Sequence, residues 1–165
     1  MRKQINKKPD LKPVTTSARE LFAPCGMYCG LCTSYLSKKY TIPRRPGIIS
    51  YCDGCRPRGK TCSFVKKRCD ILLNHEIDFC YECKKFPCAV LEKIQEAYMS
   101  KSAYSYDFIQ SQKEIQKKGS DFVQKKLHKE HGCKKCGEII CIHNGLCYNC
   151  DKDQLAIMKN YRNKA

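Results

Sequence analysis

The placement of cysteine constrains this chain more than any other feature. Of 165 residues fifteen are Cys, ten of them between Cys25 and Cys88 and five between Cys133 and Cys150. Cys133-Lys-Lys-Cys136-Gly and Cys147-Tyr-Asn-Cys150 are two CxxC pairs separated by ten residues. A CxxC turn sets two thiolates on one side of a tight knuckle, within reach of a single tetrahedral ion. Gly137 falls where such a knuckle needs positive φ, and Asn144-Gly145 supplies the turn that returns the second knuckle to the first. Four soft thiolates suit zinc, with iron as competitor. The pattern predicts a zinc ribbon over 133–151, ligated by Cys133, Cys136, Cys147 and Cys150. A closed site of four has no place for a fifth donor. Cys141 therefore reads as a small buried strand residue, and His143 as a turn residue packing on or hydrogen-bonding to the knuckle.

The N-terminal band is less self-explanatory. Cys25-Gly-Met-Tyr-Cys29-Gly-Leu-Cys32 has the CxxxCxxC spacing of radical S-adenosylmethionine enzymes. Those enzymes need a long alternation of strands and helices, which this chain lacks in both length and pattern. A non-radical iron–sulfur cluster on Cys25, Cys29 and Cys32, serving an enzyme or redox protein, is the alternative to zinc. Downstream lie the knuckle pairs Cys52/Cys55 and Cys80/Cys83, with Cys62, Cys69 and Cys88 beside them. Ten cysteines supply two four-thiolate sites with two left over, or one cluster and one zinc, and sequence order does not pair them. His75, His128 and His131 are weaker ligand candidates that read as solvated surface groups.

Composition explains why metal is needed. Without the fifteen cysteines the 42% hydrophobic content falls to about a third, Trp is absent and mean hydropathy is −0.58. What remains is a thin supply for an apolar core. Fifteen is odd, so a full disulfide framework leaves one thiol over. Met1–Pro13 shows no apolar signal region, and no run approaches the roughly 18–20 apolar residues of a membrane span. The expectation is a cytoplasmic protein without a membrane segment, whose dense cysteines bind metal.

The chain divides into a basic arm (1–17), a cysteine-rich metal-binding domain (18–100), a helical connector (101–132), the ribbon (133–151) and a basic tail (152–165). Leu31, Tyr35 and Leu36 mark a first helix ending before Pro43. Val65, Cys69 and Leu72 predict a second over Ser63–Asn74 with Cys69 inward. Pro87 suits the first turn of a third, with Leu91, Ile94 and Tyr98 on one face. Phe108–Lys117 is a fourth. Gly119 then breaks the pattern, Ser120 or Asp121 is placed to cap, and a fifth runs to Gly132. Short strands are expected at Glu138–Ile142 and around Leu146. The fold class is α+β: a small, metal-stabilised, mainly helical protein with cysteine knuckles.

Taken together, these motifs resemble an uncharacterised prokaryotic family, a domain of unknown function defined by cysteine motifs. Its pattern is CGxxCxxCxxY, CxGC, a further cysteine pair, CxxCxxFPC and a terminal CxxCG…HxGxCYxC ribbon. The matching residues are Cys25, Gly26, Cys29, Cys32 and Tyr35; Cys52, Gly54 and Cys55; Cys62, Arg68 and Cys69; Cys80, Cys83, Phe86, Pro87 and Cys88. Gly119 begins the family's Gly-led helix, and Cys133, Cys136, Gly137, His143, Gly145, Cys147, Tyr148 and Cys150 form the ribbon. The match covers about residues 20–150. Where many members carry another cysteine three positions after Cys62, this chain has Val65. The resemblance implies metal binding, zinc foremost, and no known reaction.

Charge adds a partner class. Lys and Arg number 32 against 16 acidic residues, a formal net charge of +16. They cluster in the arm, over Arg56–Arg68 and over Lys113–Lys129. A basic zinc module fits nucleic acid or an acidic protein surface, and Tyr40, Tyr51 and Phe64 are candidate stacking platforms. Each zinc with four thiolates carries about −2, so three sites would bring the charge to about +10 and account for part of the lysine surplus. No HExxH, phosphate-binding glycine loop, G-x-S-x-G elbow or carboxylate pair is present, which leaves no catalytic motif to assign. The sequence reading is a zinc-binding scaffold or adaptor with about three ions.

Overall fold

The computed structural model describes residues 17–57, 68–101, 103 and 105–159. Most of the basic arm, Cys62, Phe64 and the start of the expected 63–74 helix lie outside the described residues. Six helices are described: α1 (Thr33–Lys39), α2 (Asp70–Leu73), α3 (Ala89–Lys101), α4 (Phe108–Lys118), α5 (Ser120–Glu130) and α6 (Lys152–Ile157). Short 3-10 turns occupy Ala18–Leu21, Cys29–Leu31 and Cys80–Glu82. Pairing among the described residues is confined to isolated bridges, Gly132 with Ile139 and Ile140 with Cys147 among them. The protein is mainly helical, and the expected strands shrink to these bridges because each knuckle turns back after one or two extended residues.

Helix boundaries correct the sequence expectations in five places. Cys69 is extended (φ −134°, ψ 106°) and forms the N-cap of α2; it precedes the helix instead of facing inward from its middle. Pro87 also stands before its helix, with the Cys88 carbonyl accepting the Glu92 N–H at 3.0 Å. Gly119, not Ser120 or Asp121, joins α4 to α5: its N–H closes α4 on the Ile115 carbonyl (2.9 Å) while its own carbonyl opens α5. α5 then stops at Glu130, short of Gly132. Finally, the segment read as a basic tail contains α6, anchored by fully buried Leu155.

One apolar cluster runs from Leu21 to Leu155. Phe22, Leu31 and Leu36 from the N-terminal band share it with Phe108 and with Ile142 and Tyr148 of the ribbon. α3 packs on α4, and α4 on both α5 and the Cys80–Glu82 turn. Lys126 of α5 reaches back to Glu114 of α4 at 2.7 Å. The core is thus built from elements far apart in sequence, and that positions the ribbon against α1.

Candidate metal centre

Each ribbon knuckle is closed by its own backbone. The Cys133 N–H donates to the Glu138 carbonyl at 2.7 Å, and the Gly137 N–H returns to the Cys133 carbonyl at 2.8 Å. Gly137 has φ +76°, which costs a glycine nothing and any residue with a Cβ about a kcal/mol or more. On the second knuckle the Cys150 and Asp151 N–H groups converge on the Cys147 carbonyl (3.2 and 2.8 Å), while the Asp151 carboxylate accepts the Cys147 N–H at 2.8 Å. Between them Asn144 is 1% exposed. Its side chain accepts from the Leu146 N–H (3.1 Å) and donates to the Tyr148 hydroxyl (3.2 Å).

These turns bring four sulfurs together. The Sγ atoms of Cys133, Cys136, Cys147 and Cys150 all lie within 4.8 Å of one another, with Cys136 and Cys147 at 3.6 Å. Zinc–sulfur bonds of about 2.3 Å in a tetrahedron require sulfurs roughly 3.8 Å apart. The donor set is therefore nearly in place for one soft cation. Its electrostatics favour the same event. The Cys136 thiol, accepting the Glu138 N–H and then a hydrogen bond shared with Cys150, is brought down to about 7. Cys150, bonded to Cys136, is pushed up to about 12. One thiolate among the four suppresses the next, and a divalent cation removes that conflict.

Cys141 is fully buried, as expected. His143 is buried too, its Nδ1 3.8 Å from the Cys141 sulfur of the same hairpin. Its Nδ1 faces the backbone N–H and hydroxyl of Thr33 at 3.3 and 3.2 Å, and its Nε2 faces the Tyr98 hydroxyl at 3.2 Å. The Thr33 hydroxyl also lies 3.3 Å from the Cys141 sulfur. With the Ile142 N–H donating to the Leu31 carbonyl (3.2 Å), these contacts fasten the ribbon hairpin to α1 and α3. Glu138 adds an outer contact, accepting from Lys39 at 2.9 Å and from the Tyr40 hydroxyl. Thr33 and Asp151 escaped the sequence reading because neither lies at a ligand spacing.

Among the described residues the ribbon is the one group of three or more ligand atoms drawn within 4.8 Å. Cys25, Cys29 and Cys32 do not form such a group despite their compact spacing. Cys25 lies buried in the loop bridging Phe22 to Tyr28, Cys29 opens a 3-10 turn, and Cys32 is the N-cap of α1. Burial, then Cys29 and Cys141, push the Cys32 thiol up to about 12. No disulfide joins any two described cysteines. His75 is exposed, and His128 meets the Tyr28 hydroxyl at 2.8 Å. Tyr40 and Tyr51 are already engaged, Tyr51 by the Arg44 guanidinium 4.4 Å from its ring centroid. No helix among the described residues is long and apolar enough to cross a membrane.

Residues 21–93 match the model of a family described as "Protein of unknown function (DUF3795)", so the matched span holds the N-terminal cysteine band and ends before the ribbon. No curated protein and no solved structure matches the chain.

Proposed function

We propose that the protein is a zinc-stabilised scaffold whose ribbon carries one structural Zn²⁺ on Cys133, Cys136, Cys147 and Cys150. The observation that carries this reading is the convergence of four sulfurs within 4.8 Å on two backbone-closed knuckles. Four thiolates fill the coordination sphere of zinc and leave no position for substrate, which makes the ion structural. In thiolate form the cysteines repel one another and the hairpin opens; with the ion bound it stays closed, and Cys141, Ile142 and His143 remain seated on α1. Such an ion is worth on the order of 10 kcal/mol of folding free energy.

Cysteines of the N-terminal band are further zinc ligands in this reading, for a total of about three ions. The scaffold displays a formal charge of +16, which metal thiolates lower without reversing. Its partner is anionic, nucleic acid or an acidic protein surface. Replacing Cys147 with Ser should release one zinc per chain and expose residues 131–157 to protease. Unchanged zinc content in a folded variant would refute the ribbon assignment. Retention on immobilised nucleic acid at low salt, lost steeply as salt rises, would support the anionic partner, and no retention would remove nucleic acid from it.

A further inference from the structure

We propose that Cys25 and Cys29, neighbours in a single CxxxCxxC run, serve different metal ions: Cys25 with Cys80 and Cys88, and Cys29 with Cys32, Cys52 and Cys55.

The first set is assembled by backbone contacts across more than fifty residues. The Cys80 N–H donates to the carbonyl of Pro24, the residue before Cys25, at 2.9 Å. Gln112 of α4, fully buried, clamps the same two segments. Its Nε2 donates to the Pro24 carbonyl at 2.8 Å, and its Oε1 accepts from the N–H of Tyr81, the residue after Cys80, at 2.9 Å. Gly26 makes this approach possible: at φ +89°, a Cβ there would stand 2.9 Å from Gln112 Nε2 and 3.2 Å from the Phe108 carbonyl. Burial, then the sulfurs of Cys25, Cys88, Cys69 and Cys83, push the Cys80 thiol up. Cys25 and Cys80 thus come from two segments held by one clamp, Cys88 follows the turn that the Phe86 N–H closes on the Cys83 carbonyl at 3.0 Å, and Cys69 or Cys83 supplies the fourth thiolate.

The second set faces another way. The Sγ of Cys29 accepts the backbone N–H of Cys55 at 3.3 Å, and the Sγ of Cys52 accepts that of Gly54 at 3.4 Å. Backbone N–H groups aimed at sulfur stabilise it as thiolate. Cys52 is tied to α1 through the Ser34 carbonyl at 3.1 Å, and Cys32 closes its turn on the Cys29 carbonyl at 2.9 Å. Cys29, Cys32, Cys52 and Cys55 make up the second CxxC–CxxC set of this proposal. Neither set has drawn together as tightly as the ribbon, so each closes as its cation, soft and divalent as four thiolates require, is bound.

This partition rests on thiolate–metal chemistry but not on the ribbon ion, and one experiment on the unmodified protein separates them. Metal is withdrawn stepwise with a chelator, and newly reactive thiols are alkylated and mapped by mass spectrometry. Cys25, Cys80 and Cys88 should become reactive in one step, and Cys29, Cys52 and Cys55 in another. Release of Cys25 and Cys29 together would overturn the partition, as would full reactivity of either set before chelator is added while the ribbon stays protected. Exposure of the ribbon cysteines before chelator would count against the ribbon alone. Paired variants give a second readout. C25S/C80S should cost one ion, the same as either single change, whereas C25S/C29S should cost two; equal losses from both pairs would contradict the split.

Discussion

The two cysteine bands solve the same problem in opposite ways. In the ribbon, two knuckles closed by their own hydrogen bonds hold all four sulfurs within 4.8 Å, and the ligands span only residues 133–150. In the N-terminal band, no single turn gathers the donors. The segments of Cys25 and Cys80 are joined because Gln112 bonds both Pro24 and Tyr81, and the Cys29 sulfur accepts the Cys55 N–H across 26 residues. A local site pays little chain entropy to assemble, whereas a distributed one depends on the surrounding core. The ribbon therefore imposes order on its hairpin, while the N-terminal set inherits order from α4.

That contrast breaks if the ribbon ion proves dispensable. Loading and stripping zinc should move stability on the order of 10 kcal/mol per structural ion, read as a fall in denaturation midpoint and loss of amide protection at Ile140 and Cys141. Protection unchanged after stripping would place the hairpin's stability in the core instead. The next largest effect is expected at Gln112. Gln112→Leu keeps the volume but leaves the Tyr81 N–H without its partner and the Pro24 carbonyl with the Cys80 N–H alone, a loss of about 1–3 kcal/mol. It should weaken metal retention at Cys25 and Cys80 and leave the ribbon ion in place. Loss of both would mean the two bands are one cooperative unit.

Much of the ribbon was legible in the sequence because its four ligands and both turns are encoded within eighteen residues. The contacts that join the N-terminal segments were not. Gln112 has the look of a solvent-facing residue in a polar helix, and only the tertiary structure reveals that both ends of its amide are occupied in the core. Apolar spacing at Val65, Cys69 and Leu72 argued for one continuous helix, yet Cys69 is extended and the helix starts at Asp70. α6 was missed because Leu155 is its single buried side chain, too little to register as a period. His143 was read as a turn residue of the hairpin, but its partners Thr33 and Tyr98 lie 110 and 45 residues away.

Smaller changes sharpen the seam between the bands. Thr33→Val removes the hydroxyl shared by Cys141 and His143 and should cost about 1–2 kcal/mol. Faster exchange of the Ile142 N–H with zinc retained would show that docking and metal binding are separable; zinc loss would show that α1 supports the ligands. The smallest effect lies at Glu114. Burial raises its pKa, but hydrogen bonds from Lys126 and Gln110 outweigh that and hold the carboxyl below 4.5. The pair stabilises the α4–α5 hairpin above the unfolded value near 4.5 and loses its effect as pH falls through the lower folded value. With Lys126 38% exposed, screening limits this to under about 1 kcal/mol. Glu114→Gln should flatten stability against pH below 4.5 and leave both cysteine bands unchanged.

The most direct test replaces zinc with cadmium-113 and correlates each metal nucleus with cysteine β-protons. One cadmium should couple to Cys133, Cys136, Cys147 and Cys150 and to no other cysteine. A ribbon resonance lacking any of those four, or shared with a cysteine from the 25–88 band, would contradict the account.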